Sequence, residues 1–238
     1  HQGKAIYGVG GGITWDSTWE SEYREVHQKA AVLYRKQARF KLITTGKISQ
    51  KSLLFEDQHL ERLTKASRYF AYPFDPKKLR QKIEEECQAC DANQDYRLRI
   101  SLSKSGEIEL SRQILTPLSP SFCKTKLCLQ EADLNQSFTY FKTTHRPHLS
   151  LGKQEIIYHN AAGELLETSI GNIVLKIAGK LYTPPIRLGI LPGIYRQHLL
   201  ETGQVEEKVL TVPDLDQAEA VYGCNAVRGL YELEVNSK

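Results

Sequence analysis

Gly189-Ile190-Leu191-Pro192-Gly193-Ile194-Tyr195-Arg196 is a turn marked by glycine and proline that opens straight into a helix. The helix is expected over Ile194–Leu200, so the amides of Ile194 and Tyr195 have no preceding carbonyl to bond. Free amides at a helix start point at an anion, which makes this stretch a phosphate cradle or, more plainly, an ordinary loop before a helix. Just upstream stands Tyr182-Thr183-Pro184-Pro185, after strands expected over Asn172–Ile177 and Lys180–Thr183. Further upstream, Glu164-Leu165-Leu166-Glu167-Thr168-Ser169-Ile170-Gly171-Asn172-Ile173 sets a carboxylate before a Ser/Gly turn and a β-branched strand. Such a carboxylate can hold an aromatic nitrogen cation, or be a solvated loop glutamate. Earlier still, Phe141-Lys142-Thr143-Thr144-His145-Arg146 follows an aromatic-rich stretch. Desolvation lowers a lysine pKa and makes the amine a nucleophile, although an exposed lysine at a strand end is the simpler reading of this stretch alone.

The rest of the chain reads as mixed α and β. A short Gly-rich strand is expected over Ala5–Thr14, then a helix from Asp16-Ser17 through Trp19 to Arg39, with Tyr23, Val26, Ala30 and Leu33 at helical spacing. Strands follow at Phe40–Thr45 and Leu53–Phe55, then a helix over Asp57–Phe70. Asp75-Pro76 caps another, running to Cys90. Arg97–Ser103 and Glu107–Gln113 alternate around Ser105-Gly106, a hairpin. Thr116-Pro117-Leu118-Ser119-Pro120 suits a linker between two lobes. Beyond it, strands are expected at Lys126–Glu131, Glu155–Tyr158, Val205–Leu210 and Ala220–Gly223. The expected architecture is α/β (α+β), two lobes with a site between them: a tail over 1–39, a small lobe over 40–120 and a larger lobe over 121–238.

The bulk numbers exclude several classes. The 238 residues are 40% hydrophobic and 25% charged, ordinary for a soluble domain. No apolar run approaches the ~18 residues of a membrane span, and no apolar segment follows His1-Gln2-Gly3-Lys4 to make a signal peptide. A net charge of +4 without a basic, aromatic-interleaved block speaks against nucleic acid and fits a small anionic ligand. Cys87, Cys90, Cys123, Cys128 and Cys224 have neither disulfide-framework nor zinc spacing, so reduced thiols in a cytoplasmic protein without a metal are expected. The start at His1 suggests an excised segment; nothing in the sequence accounts for the absence of Met.

In combination and order, the three chemical stretches resemble the class IV aminotransferase family, which has fold type IV and uses pyridoxal 5'-phosphate (PLP). Its pattern is a lysine, an acidic residue about 25 residues later and five before an asparagine, then TPP and a GILxGIxR-like turn. The resemblance covers Phe40 to Val235. It implies that Lys142 holds the cofactor aldehyde and Glu167 pairs with the pyridine nitrogen. PLP needs such a partner, because its pyridinium must stay protonated to act as an electron sink. Arg62, in His59-Leu60-Glu61-Arg62-Leu63, matches the family's phosphate-binding arginine, the amides of Ile194 and Tyr195 match its phosphate amides, and Asn225 falls where it has another phosphate contact. From the residues alone, Arg62 is a helix-surface charge.

Lys142-Thr143-Thr144-His145-Arg146 and Asn225-Ala226-Val227-Arg228-Gly229 look most like the lyase part of fused aminodeoxychorismate synthase–lyase chains. That implies elimination of pyruvate from 4-amino-4-deoxychorismate to give 4-aminobenzoate, a step of folate biosynthesis. Thr45 falls where the lyases carry a threonine near the substrate. Arg228 and Arg146 are the candidates for the substrate carboxylates, with a Glu232 salt bridge the competing reading of Arg228. Where the fused lyases continue to a tyrosine, this chain has Pro147-His148-Leu149-Ser150, a departure that bears on substrate placement. The amino terminus, Ala5 to Ser17 with Glu22-Tyr23-Arg24-Glu25, resembles the tail of the chorismate-using synthase, whose glutamates bind magnesium. In this fragment they read as an acidic helix face. Gly8-x-Gly10 is not a dinucleotide fingerprint, since no helix opens there. A branched-chain or D-amino acid aminotransferase on the same scaffold is the alternative, and a non-catalytic remnant is a third. A homodimer is implied, as is a linked synthase component.

Overall fold

The computed structural model describes residues 6–34, 38–129, 137–149 and 152–235. They form two compact units, His1–Arg39 and Phe40–Lys238.

In the first unit, helix α1 (Trp19–Tyr34) begins later than Asp16-Ser17. Thr18 and Ser21 set its start by capping each other: Thr18 N–H donates to Ser21 Oγ at 3.1 Å and Ser21 N–H to Thr18 Oγ1 at 3.3 Å. The expected strand does not form over residues 6–14. Gly8, Gly10, Gly11 and Gly12 make such a strand costly to order unless a neighbour pairs with it. Ala5, and residues 35–37 of the expected helix, lie outside the described residues.

The second unit opens with β1 (Leu42–Ser49), β2 (Ser52–Leu53), helix α2 (Glu56–Phe70), helix α3 (Pro76–Gln88), β3 (Tyr96–Leu102) and β4 (Ile108–Ile114). The strands form an antiparallel sheet in the order β2-β1-β3-β4. Leu60, Leu63, Leu79 and Ile83 of the helices share one core with Leu42, Ile48, Leu98 and Ile100 of the sheet. Asp75 caps α3 by accepting the Lys77 and Lys78 amides, with Pro76 at the first position. The register pairs Thr45 with Arg99 and Lys47 with Arg97. Strand alternation then puts Ile43, Thr45, Arg97 and Arg99 on the face away from that core.

Thr116–Ser119 is neither helix nor strand. After it come α4 (Pro120–Cys123), β5 (Lys124–Leu129), α5 (Ser137–Tyr140), β6 (Glu155–His159), β7 (Leu165–Thr168), β8 (Asn172–Ile177) and β9 (Lys180–Thr183). Helix α6 (Ile194–Glu201), β10 (Glu206–Glu207), helix α7 (Val212–Gln217), β11 (Ala220–Asn225) and β12 (Gly229–Val235) complete the chain. The strand order is β10-β9-β8-β11-β12-β5-β6-β7, and β7 pairs again with β8, so six strands close a barrel. Ile157, Leu165, Ile173, Leu175, Val221 and Leu233 from its strands pack into one core.

Elements of this unit depart from the sequence expectation as well. The strand expected over Leu53–Phe55 is instead Ser52–Leu53, with Phe55 left-handed (φ 58°) at the start of α2. Val205–Leu210 shrinks to the two-residue β10, because Thr211 and Asp214 make a capping box that starts α7 just beyond it. Leu165–Thr168 is a fully buried strand rather than a loop, and Gly229–Val235 is a strand without a sequence expectation. The end of the expected strand at Glu131 lies outside the described residues. Among those residues, no helix is long and apolar enough to cross a membrane.

Candidate active site

A cavity of about 510 Å³ is lined by both the four-stranded sheet and the barrel of the second unit. Lys142 reaches it because its backbone is stitched to β1. Ile43 N–H donates to the Lys142 carbonyl at 2.9 Å, and Thr144 N–H to the Lys41 carbonyl at 2.9 Å. The Lys142 amine has no hydrogen-bond or ion-pair partner among the described residues. Burial, then the cations Arg62, Arg146, Arg97 and Arg99, hold its pKa well below the ordinary lysine value.

Glu167 projects from β7 on the barrel side and is only 2% exposed. Burial raises its pKa to about 7, against the opposing pull of Arg146, the Leu191 N–H and Lys142. Its Oε2 lies 3.8 Å from Arg146 Nη2, while its Oε1 is buried with no hydrogen-bond partner among the described residues. An orphaned carboxylate oxygen costs free energy unless a donor arrives, and a protonated ring nitrogen is such a donor.

The turn before α6 is braced from behind. Asn172 pairs with Glu167 across β7 and β8, and its Nδ2 donates to the Leu191 carbonyl at 2.9 Å. A Cβ on Gly193 would stand 1.9 Å from Asn172 Oδ1, so only glycine fits. Arg62 crosses from α2 and donates through Nη2 to the Pro192 carbonyl at 2.6 Å, which brings its guanidinium to this turn. Burial, then Arg146, lowers its pKa to about 10, so it stays cationic at neutral pH. Arg62 is thus a cavity cation and not a helix-surface charge.

Of the candidates named from the sequence, Lys142, Glu167, Arg62, Thr45, Arg146, Ile194, Asn225 and Arg228 all line the cavity. The Tyr195 side chain does not; its ring packs 6.0 Å from that of Phe55, leaving its backbone amide as the group at the helix start. Asn225 Oδ1 is occupied by its own turn, accepting from Val227 N–H at 3.0 Å and Arg228 N–H at 2.9 Å. Arg228 commits one N–H to the Thr116 carbonyl in the linker, and not to Glu232.

Several residues escaped the sequence reading. Arg97 and Arg99 line the cavity, and their signal was the alternation Arg97-Leu98-Arg99-Ile100, which puts both on one strand face. His59 is fully buried, shares a 2.6 Å hydrogen bond between its Nδ1 and the Thr44 hydroxyl, and holds α2 against β1. Burial, with Arg62 and Lys142, lowers its pKa to about 3, so it is neutral. No sequence spacing marks that pair.

A nucleophilic amine, an unpaired buried carboxylate and an anion cradle with its own arginine fit the aldehyde, ring nitrogen and phosphate of PLP. The fold is fold type IV: a small sheet-and-helix lobe and a barrel lobe, with an amine-bearing cleft lined by both. The chain belongs to the amino-transferase class IV family, whose profile matches residues 41–233, while that of the chorismate binding enzymes matches residues 1–35. It is 27% identical over 198 residues to the aminodeoxychorismate lyase of Saccharomyces cerevisiae, covering 61% of this chain and 53% of that one. The match thus spans about half that relative's length. Among solved structures, one assigned provisionally as a 4-amino-4-deoxychorismate lyase, from Legionella pneumophila, has a TM-score of 0.65 at 20% identity and covers 82% of each chain. A hypothetical aminotransferase from Mycobacterium tuberculosis in its PLP-bound form has a TM-score of 0.67 at 18% identity, covering 82% of this chain and 81% of that one.

Proposed function

We propose that the protein is a PLP-dependent lyase that takes 4-amino-4-deoxychorismate to 4-aminobenzoate and pyruvate. The observation that carries the cofactor is the convergence of Lys142, Glu167, Arg62 and the Gly193–Ile194 turn on one cavity. The lyase reaction, as against amino-group transfer, is favoured by the chorismate-binding match over residues 1–35 and by the likeness to the yeast lyase.

In this reading Lys142 holds the cofactor aldehyde, Glu167 faces the ring nitrogen, and Arg62 with the Ile194 and Tyr195 amides holds the phosphate. Bound PLP supplies an electron sink for the pair left when a C–H bond beside the substrate amine breaks. Lys142, its pKa lowered by burial and the cations around it, would take the proton from the amine-bearing carbon once the substrate amine replaces it on the aldehyde. Arg146 and the barrel wall keep Glu167 placed so that a proton stays on the ring nitrogen. Thr45, on the sheet wall, offers a hydroxyl to the substrate. Loss of enolpyruvate from the neighbouring carbon makes the ring aromatic, and the enol takes up a proton to become pyruvate. The cost left to the protein is positioning and the first proton transfer.

The same reading divides the chain into a synthase-like tail over 1–39 and lobes over 40–120 and 121–238. It extends to a homodimer, a linked synthase component and the cytoplasm, the last because all five cysteines are free. The deciding experiment incubates the PLP-loaded protein with 4-amino-4-deoxychorismate and no keto acid. Equal amounts of 4-aminobenzoate and pyruvate are expected. An aminotransferase would release neither, and would instead need a 2-oxo acid acceptor.

A further inference from the structure

The cavity carries more positive charge than a cofactor requires. Among the described residues, six cationic side chains line it, Arg62, Arg97, Arg99, Lys142, Arg146 and Arg228, against the single carboxylate of Glu167. They differ in how they are held. Arg62 is bonded to the Pro192 carbonyl and Arg228 to the Thr116 carbonyl, while Arg146 has only the 3.8 Å ion pair with Glu167, its buried Nε and Nη2 making no hydrogen bond among the described residues. Arg97 and Arg99 have no side-chain hydrogen bond or ion pair among the described residues. They are two apart on β3, on the same face, with Arg99 directly across from Thr45 on β1. Both also line a second cavity of about 250 Å³, with Ser111 and Gln113 of β4 beside them. Like charges on one strand face repel, and nothing in the strand itself offsets this.

We infer that Arg97 and Arg99 form the dianion subsite of this cavity, taking the carboxylates of a substrate that carries two of them, with Thr45, Ser111 and Gln113 as neutral donors around it. This rests on the lyase reading for the identity of the dianion, and moves the carboxylate role from Arg228 and Arg146 to β3. The planar guanidinium takes a carboxylate through two parallel hydrogen bonds, so two such groups side by side select a dicarboxylate over a monoanion. Arg228 and Arg146 serve the walls: the first ties the barrel lobe to the 116–119 linker, and the second accompanies Glu167. A substrate with one carboxylate leaves one arginine of the pair unmatched, which disfavours ordinary amino acids.

Chorismate is the probe. It carries both carboxylates of 4-amino-4-deoxychorismate but has a hydroxyl where the amine would be, so it cannot react with the cofactor aldehyde. Its binding to the PLP-loaded protein is measured by titration calorimetry for wild type, the Arg97→Gln/Arg99→Gln double variant, Arg99→Lys and Arg228→Gln. Unchanged cofactor absorbance and melting temperature establish that each variant is folded. Expected are a dissociation constant at least about tenfold weaker in the double variant, an intermediate loss in Arg99→Lys, and less than about threefold in Arg228→Gln. In wild type, 4-aminobenzoate, with one carboxylate, is expected to bind more weakly than chorismate. The inference is overturned if wild type does not bind chorismate, if the double variant binds within twofold of wild type, or if Arg228→Gln loses as much as the double. Arginine-dependent chorismate binding without pyruvate release from 4-amino-4-deoxychorismate leaves the subsite standing and removes the lyase reading. Pyruvate release with an unchanged Michaelis constant in the double variant does the reverse.

Discussion

The two walls of the cavity are built on opposite principles. On the barrel wall the turn before α6 is held by its neighbours: Asn172 grips the Leu191 carbonyl, Gly193 fits against Asn172 with no room for a methyl group, and the Leu191 amide meets Glu167. On the sheet wall Arg97 and Arg99 have no side-chain hydrogen bond or ion pair among the described residues, on a strand whose other face is fixed by Leu98 and Ile100 in the core. A permanent ligand needs a rigid cradle, whereas a substrate that comes and goes needs groups whose partner it supplies itself. In the proposed reading the barrel wall is organised for the cofactor and the sheet wall for a transient anion.

The largest effect is expected at the residue that both walls address. In the proposed reading, Lys142→Ala removes the amine that holds the cofactor and moves the proton, and turnover is expected to fall by at least about 10³-fold. Steady-state pyruvate release checks this, and the absorbance of bound cofactor should shift with it. Retained absorbance and turnover would take Lys142 out of the site.

Next in size is the barrel wall itself. In Gly193→Ala the new methyl group would meet Asn172 Oδ1 at 1.9 Å, so the turn must move. A loss of about 1–3 kcal/mol in unfolding free energy is expected, together with weaker PLP binding. Gly152→Ala, whose nearest neighbour is 3.6 Å away, is the control. Equal cofactor affinity in both variants would mean that the wall is not rigid.

A pH test sharpens the same contrast. The folded pKa of Glu167 is raised from 4.5 to about 7, so the cofactor-free protein bears no penalty below about pH 4.5, where folded and unfolded chains both hold the proton. The penalty grows as pH rises and is complete above about pH 7, where it is worth on the order of 3 kcal/mol. Glu167→Gln should therefore raise the stability of the cofactor-free protein at pH 8 and leave it unchanged near pH 4.5. With cofactor bound, the same variant should lose turnover, because an amide cannot keep the ring nitrogen protonated. Denaturant melts at the two pH values test the first half, and a stability gain independent of pH would exclude it.

The smallest effect is expected at Arg228. Arg228→Lys can still donate to the Thr116 carbonyl, so the Michaelis constant should stay within about threefold of wild type. A rise comparable to that of the β3 double variant would return the carboxylate role to Arg228.

Local chemistry made much of this legible in advance. The Asn172–Ile177 and Lys180–Thr183 strands, the α6 start at Ile194 and the Asp75-Pro76 start of α3 follow from β-branched runs, turn glycines and capping side chains, all encoded within a few residues. The family resemblance supplied Lys142, Glu167 and Arg62 as a set. What the sequence did not carry were relations between distant segments. That Glu167 sits on a buried strand depends on Leu165–Thr168 closing the barrel between β6 and β8, and a four-residue segment has no pattern that says so. Arg62 looked like a surface charge because only the meeting of α2 with the 190–193 turn puts a carbonyl in front of it. Arg97 and Arg99 were visible as alternation, but alternation gives a face and not what the face looks upon; the lining of the cavity by both lobes decided that. Sequence determines where backbone conformation changes, since that is a local cost. Which charges are left without partners depends on which surfaces burial brings together, and only the folded chain fixes those.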